Sequence, residues 1–337
     1  MAQGTTEGKA AIIGAGAWGT AIAAMLARGG WDAQLWAREA EVVTAINETH
    51  ENSVFLSGVA LPETLRATDD FAACLAGADV LFMVTPAQHM RAICSDMLRH
   101  VAPGTQLFLC SKGVERETAA FMTDVIREAL PQAKPGVISG PTFAHEVAKG
   151  LPGAVTLACS NLSEAQAWCA RIGQATFRPY ASDDLIGAEV GGAIKNILAI
   201  ACGIVDGRGL GENARAAVIT RGMAEMLRFG EAHGARSETL MGLCGLGDLI
   251  LTCSSRQSRN MSLGVALGEG QKAADILKSR KTVAEGALSA AVVAQWATNK
   301  GITMPIVNAV DKVVNDGLSV DEAIEALINR PFTVETK

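Results

Sequence analysis

Two lysines are placed where an ammonium could do acid–base work. Lys195 lies in Gly191-Gly192-Ala193-Ile194-Lys195-Asn196-Ile197-Leu198 and is the only basic residue between Leu185 and Val205. A charge in so apolar a run is costly unless it is paired or functional. Burial lowers a lysine pKa toward neutrality, where the amine can exchange a proton. The plain alternative is a lysine snorkelling at a helix edge. Lys112, in Ser111-Lys112-Gly113, follows the apolar run 106–110. That is the C-terminal end of a predicted strand, where open α/β sheets bind ligands; the alternative is an exposed loop lysine. Asp248 is the one acid in the apolar stretch Gly245–Thr252. It could orient Lys195 or simply cap a helix.

Gly14, Gly16 and Gly19 form G-A-G-A-W-G between the apolar run 9–13 and the helical pattern 18–28. In that strand–turn–helix setting Gly14 makes the turn and Gly16 lets a pyrophosphate approach the backbone. Gly19 allows close helix–strand packing. A dinucleotide site is expected. The second strand ends in Leu35-Trp36-Ala37-Arg38-Glu39. An NAD site would place an acid at this tip, whereas Arg38 can pair with a 2′-phosphate. NADP(H) is therefore expected, with NAD(H) left open, and Arg38 is otherwise a solvated loop charge. Hydride delivery to a ketone leaves negative charge on oxygen, which is chemistry a buried lysine can serve.

Two further segments suit anions. Ser139-Gly140-Pro141-Thr142-Phe143 follows a short predicted strand, with a glycine backbone and the Thr142 hydroxyl. Gln257-Ser258-Arg259-Asn260 offers hydroxyl, guanidinium and amide donors in sequence. Either one alone is more often an ordinary turn.

The elements that must position these residues change character along the chain. Strands are predicted at 9–13, 33–36, 78–85, 106–110, 137–139, 154–158 and 176–179. Helices are predicted at 18–28, 88–99 and 117–129. This alternation implies a doubly wound (Rossmann-like), mostly parallel sheet. Beyond Ser182 the pattern is helical, including 185–205, 214–233, 262–267, 289–300 and 321–328, with Ser319 a candidate N-cap. The expected organisation is α/β: a dinucleotide-binding domain over 1–182, then an all-helical substrate-binding and catalytic domain over 183–337.

Composition narrows the partners. The 337 residues carry a net charge of −6, so nucleic acid and anionic membrane get no general electrostatic help. Phosphates must be held by a few placed donors. Cys74, Cys94, Cys110, Cys159, Cys169, Cys202, Cys244 and Cys253 form no C-x-x-C pair, as expected of free thiols in a reducing cytoplasm. The amino-terminal residues show no signal-peptide pattern, and Glu189, Lys195 and Asn196 argue against a membrane span at 185–205.

GAGAWGTA, LFMVTPAQ, CSKGVE, ISGPTFAHEVAKGLP, GGAIKNILAIACGI, GENARAAVITRGMAEM, GLGDLILTC and QSRN occur in this order. Together they resemble bacterial-type NAD(P)-dependent glycerol-3-phosphate dehydrogenase over nearly the whole chain. The resemblance implies reversible reduction of dihydroxyacetone phosphate to glycerol 3-phosphate for phospholipid synthesis, in a cytoplasmic homodimer. It implies Lys195 as the proton-transfer lysine, supported by Asp248, Asn196 and Thr252. Implied substrate contacts are Lys112, Gly140, Thr142, Lys195, Asp248, Ser258, Arg259 and Asn260. Implied cofactor contacts are Gly14, Gly16, Ala17, Trp18, Gly19, Arg38, Lys112, Ala144, Arg259, Val283 and Glu285. Family members often carry Ser or Thr where this chain has Ala17, which removes a side-chain contact but not the backbone cradle. Rival readings are a two-domain dehydrogenase for a 3-hydroxy acid or ketopantoate-like substrate, and a non-catalytic dinucleotide sensor.

Overall fold

Short buried runs separated by helices assemble into one eight-stranded sheet: β1 (Lys9–Ile13), β2 (Asp32–Trp36), β3 (Arg66–Thr68), β4 (Val80–Met83), β5 (Gln106–Leu109), β6 (Lys134–Ser139), β7 (Gly153–Ala158) and β8 (Phe177–Ser182). The computed structural model describes residues 7–279, 284–332 and 334–335. Strand order is β3-β2-β1-β4-β5-β6-β7-β8. The first six strands are parallel, β7 runs antiparallel to β6, and β8 is parallel to β7. The order reverses between β1 and its neighbours β2 and β4, which opens a crevice at the carboxyl ends of the strands. Ile13 lies level with Trp36 on one side and Met83 on the other, so the β1, β2 and β4 ends share one rim. Strands β4 and β5 are buried at every position, as strands covered on both faces must be.

Three expectations need correction. The run 88–99 is a short 3-10 turn (Ala87–His89) followed by a helix over Met90–Met97. The run 117–129 is helical only from Met122 to Ala129. Before it, Val114 bridges Phe121, and Ala119 takes a left-handed φ of 55°. Side chains explain the loop. The Glu115 carboxylate accepts two bonds from Arg91 (2.9 and 2.8 Å) and one from the Thr118 hydroxyl. The Gln88 amide donates to the Val114 carbonyl at 2.9 Å. These partners outcompete a helical turn. Thirdly, the sheet contains β3, a three-residue strand too short to show periodicity in sequence.

Beyond β8 the described chain is helical. The helix Leu185–Gly207 carries Lys195 and is apolar nearly all round, which marks a core helix. It is long and apolar enough to cross a membrane, and its most apolar window is entirely buried inside the protein. Glu189 on this helix accepts bonds from the Thr123 backbone N–H (3.0 Å) and hydroxyl (2.6 Å), tying the helical half to the sheet half. Burial pushes the Glu189 carboxyl up to about 7.

The helix Arg259–Gly268 packs directly against the Lys195 helix. A Cβ on Gly264 would lie 2.0 Å from the Ile200 carbonyl oxygen, and one on Gly203 would lie 2.1 Å from that of Met261. Both obstacles are backbone, so neither can turn aside. This contact fixes where Ser258, Arg259 and Asn260 stand relative to Lys195. Gly264→Ala should therefore destabilise the fold by about 1–3 kcal/mol, read as a lower denaturant midpoint. A midpoint equal to wild type would show that the two helices are free to part.

Candidate active site

The glycine-rich turn joins β1 to the helix Ala17–Arg28. Gly14 has φ +114°, and a Cβ there would meet the Val84 carbonyl at 3.0 Å. A Cβ on Gly19 would lie 1.8 Å from the Gly14 carbonyl, so the close helix–strand packing requires glycine. Above Gly16 there is open space within 4 Å. The first turn of the helix holds no acidic residue. Helix N–H groups and dipole thus face space suited to an anion. The Trp18 indole N–H beside the turn is buried without a hydrogen-bond partner. These features fit a dinucleotide pyrophosphate. Ala17, Trp18 and Ala144 pack in one apolar cluster, because the helix Ala144–Ala148 lies against Ala17–Arg28. Arg28 clamps the pair through the Ala148 and Val147 carbonyls at 2.8 and 2.7 Å.

A chain of contacts leads from this turn to the lysines. Gly14 abuts Thr85, whose carbonyl accepts a bond from the Ser111 hydroxyl. Ser111 precedes Lys112, which crosses over Gly192: a Cβ there would lie 3.3 Å from Lys112 Cγ. The Lys112 Nζ donates to Asp248 Oδ2 at 2.6 Å. On the other oxygen of the same carboxylate, Lys195 Nζ donates to Oδ1 at 2.6 Å. Lys195 Nζ also donates to Thr252 Oγ1 at 2.9 Å, and that hydroxyl donates to Asp248 Oδ1 at 3.3 Å. Asp248 is 1% and Lys195 6% exposed. Lys195 is therefore neither snorkelling nor at a helix edge.

Two ammonium groups share one carboxylate, so the cluster carries excess positive charge. Burial lowers the Lys195 pKa to about 7; Asp248 opposes the fall and Lys112 adds to it. At Lys112 burial is the largest influence and lowers the pKa, but the Asp248 charge, the hydrogen bonds to Asp248 and Lys195 and the Glu285 charge together outweigh it and hold the group above the ordinary lysine range. Burial raises Asp248, yet the two lysines prevail and keep it below the usual carboxylate range. Lys195 is the member that titrates near neutrality.

Among the remaining expected residues, Glu285, Arg259, Asn260 and Asn196 connect toward this centre. Glu285 opens the helix Glu285–Asn299; burial raises its carboxyl, offset by Arg259, Lys112 and Lys195 nearby. Asn260 Oδ1 accepts the Gly286 N–H at 3.0 Å, and a Cβ on Gly286 would lie 2.5 Å from the Asn196 carbonyl. Ser258 is the N-cap of the helix Arg259–Gly268, its oxygen accepting the Met261 N–H at 3.2 Å. Gly140 packs on β7, where a Cβ would lie 2.8 Å from Val155 Cα, and the Thr142 hydroxyl donates to the Gly140 carbonyl at 3.3 Å. Arg38 stands apart at the β2 tip, with its side chain 81% exposed and paired with Glu39 at 3.2 Å. Val283 lies outside the described residues.

Sequence reasoning missed Ser139, Glu189, Gly192 and Asn52. The Ser139 hydroxyl is buried without a partner and lines a small cavity with Lys112, Glu189 and Gly192. Its position directly before Gly140 at a strand end was the available signal. Gly192 was visible as a glycine inside the Lys195 helix, but only the crossing of Lys112 explains it. Asn52 gave no signal.

A family model described as NAD-dependent glycerol-3-phosphate dehydrogenase N-terminus matches residues 9–165, and its C-terminal counterpart matches 184–325. A glycerol-3-phosphate dehydrogenase [NAD(P)+] of Parvibaculum lavamentivorans is 56% identical over 328 residues, covering 97% of this chain and 98% of the relative. The crystal structure of glycerol-3-phosphate dehydrogenase from Coxiella burnetii superposes with a TM-score of 0.91 at 39% identity, covering 96% of this chain and 99% of that one. A ketopantoate reductase family structure from Ralstonia eutropha shares the fold alone, with a TM-score of 0.56 at 19% identity and 94% and 99% coverage. This chain belongs to the NAD-dependent glycerol-3-phosphate dehydrogenase family and is an NAD(P)-dependent oxidoreductase.

Proposed function

We propose that the chain interconverts dihydroxyacetone phosphate and sn-glycerol 3-phosphate, with Lys195 as the proton-transfer group. The observation that carries this is a buried ammonium held by Asp248 and Thr252 and tuned toward neutrality, joined by contiguous contacts to the glycine-rich turn. The nicotinamide supplies or removes hydride when bound. Residues 1–182 bind the cofactor and 183–337 bind substrate and carry the catalysis. Gly14, Gly16, Ala17, Trp18, Gly19 and Ala144 form the pyrophosphate side, and Arg38 takes the 2′-phosphate of NADP(H). Lys112, Arg259, Val283 and Glu285 complete the cofactor contacts.

The phosphate of the triose is held by Ser258, Arg259 and Asn260 with the Gly140–Thr142 turn. Holding this non-reacting group orients the carbonyl. Two of the three Lys195 donors are engaged on Asp248 and Thr252, which leaves one for the carbonyl oxygen. In reduction Lys195 gives its proton to that oxygen; in oxidation it accepts the hydroxyl proton. Asn196 and Thr252 keep the amine in place, and Lys112 adds positive charge where the alkoxide develops. The phosphate clamp distinguishes this substrate from an unphosphorylated keto acid. The product supplies glycerophospholipid synthesis. The protein acts as a cytoplasmic homodimer without membrane insertion.

Lys195→Ala should lower kcat by at least ~100-fold; activity near wild type with dihydroxyacetone phosphate would remove Lys195 from the role. The pH dependence has a defined sign. Reduction needs the protonated amine, so kcat/KM for reduction falls as pH rises through about 7, while kcat/KM for oxidation rises over the same window. Asp248→Asn removes the counter-charge, so both limbs should move to lower pH by about one unit or more. Profiles that move upward or stay fixed would separate Asp248 from Lys195 titration. Arg38→Ala should raise KM for NADPH more than KM for NADH; equal changes would place Arg38 away from the 2′-phosphate.

A further inference from the structure

Asn52 is 0% exposed yet lies outside any helix or named strand, in the loop after the helix Ala40–Thr49. Its amide nitrogen donates to the Ala15 carbonyl at 2.9 Å and to Thr20 Oγ1 at 2.8 Å, one bond for each of its two hydrogens. The Thr20 hydroxyl in turn donates to the same Ala15 carbonyl at 3.3 Å. The Asn52 oxygen accepts the Phe55 N–H at 3.1 Å, which anchors the loop on itself. Ala15 is the residue between Gly14 and Gly16 in the glycine-rich turn, and its carbonyl can only accept. That fixes which end of the Asn52 amide faces it.

The Ala15–Gly16 peptide is trans, so its C=O and N–H point to opposite sides. With the carbonyl held by Asn52 and Thr20, the Gly16 N–H faces the opposite side of the peptide, at a residue where a Cβ would meet nothing within 4 Å. We propose that Asn52 is a positioning residue for the cofactor: its amide holds the Ala15 carbonyl inward and so aims the Gly16 N–H at the dinucleotide pyrophosphate. Without Asn52 the Ala15–Gly16 peptide would keep only the longer 3.3 Å bond from Thr20, and Gly16 carries no side chain to restrain it further. The inference rests on the turn being the dinucleotide site.

The test is NADPH binding without triose phosphate, titrated by NADPH fluorescence, alongside steady-state kinetics and melting temperature. Asn52→Ala and Asn52→Asp should each raise the NADPH Kd by about tenfold or more, the loss expected of one well-placed hydrogen bond. At saturating NADPH, kcat should fall by less than about threefold, and KM for dihydroxyacetone phosphate should not move. Asn52→Asp keeps the size and the acceptor for the Phe55 N–H but loses the amide donor. Wild-type-like binding by Asn52→Asp would overturn the inference even if Asn52→Ala binds weakly. Should Asn52→Ala fail to fold, Asn52→Asp and Thr20→Val decide, the latter losing the second hold on Ala15; unchanged Kd in both refutes the proposal. Gly16→Val tests the underlying reading. If it binds NADPH normally the turn is not the site, whereas weak binding by Gly16→Val with unchanged Asn52 variants refutes only the role of Asn52.

Discussion

One buried carboxylate organises the candidate active site. Asp248 receives two ammonium groups, one on each oxygen, at 2.6 Å. A buried ion pair of this kind contributes little to net stability, because desolvation offsets the attraction. Its consequence is positional and electrostatic. Burial pushes the Lys195 amine toward neutrality, and the Lys112 charge on the shared carboxylate adds to the fall, while Lys112 itself is held charged. The arrangement shifts the two lysines in opposite directions without any difference in side-chain chemistry.

The scaffold exists to bring these three residues together from distant parts of the chain. Lys112 comes from the end of β5, Lys195 from the middle of the core helix, and Asp248 from the short helix Asp248–Cys253. The Lys112 stem passes over Gly192, where a Cβ would lie 3.3 Å from its Cγ. The Lys195 helix is held against the sheet half by Glu189 at Thr123, and against the helix Arg259–Gly268 by the Gly203–Gly264 contact. Each device trades a side chain for close approach or uses a buried acid as a fastener. Glu225 does the same elsewhere, accepting the Ile306 and Val307 N–H groups at the start of the helix Pro305–Asn315.

The corrected elements share a cause. The loop before Met122 and the 3-10 turn at Ala87–His89 are set by Glu115, Arg91 and Gln88, residues whose helical propensity is good. Their side chains found partners from other elements, and those bonds overrode local preference. By contrast, Ser319 makes the expected N-cap together with Glu322 as a full capping box. Its bonds are to residues three positions away, and nothing tertiary is needed to form them.

Sequence alone determined what periodicity and local chemistry encode: a mostly parallel sheet followed by helices, the glycine turn at Gly14–Gly19, and a lysine whose apolar neighbours demanded a partner. Those signals are contained within a few turns or strands of chain. Tertiary structure decided which partner Lys195 has and what its pKa becomes, because Asp248 and Lys112 lie 53 and 136 residues apart from their contacts. It decided that Asn260 holds the Gly286 N–H. It decided that Asn52, unremarkable in sequence, holds the carbonyl inside the glycine turn. Such contacts depend on how whole elements dock, and no local pattern in the chain records that.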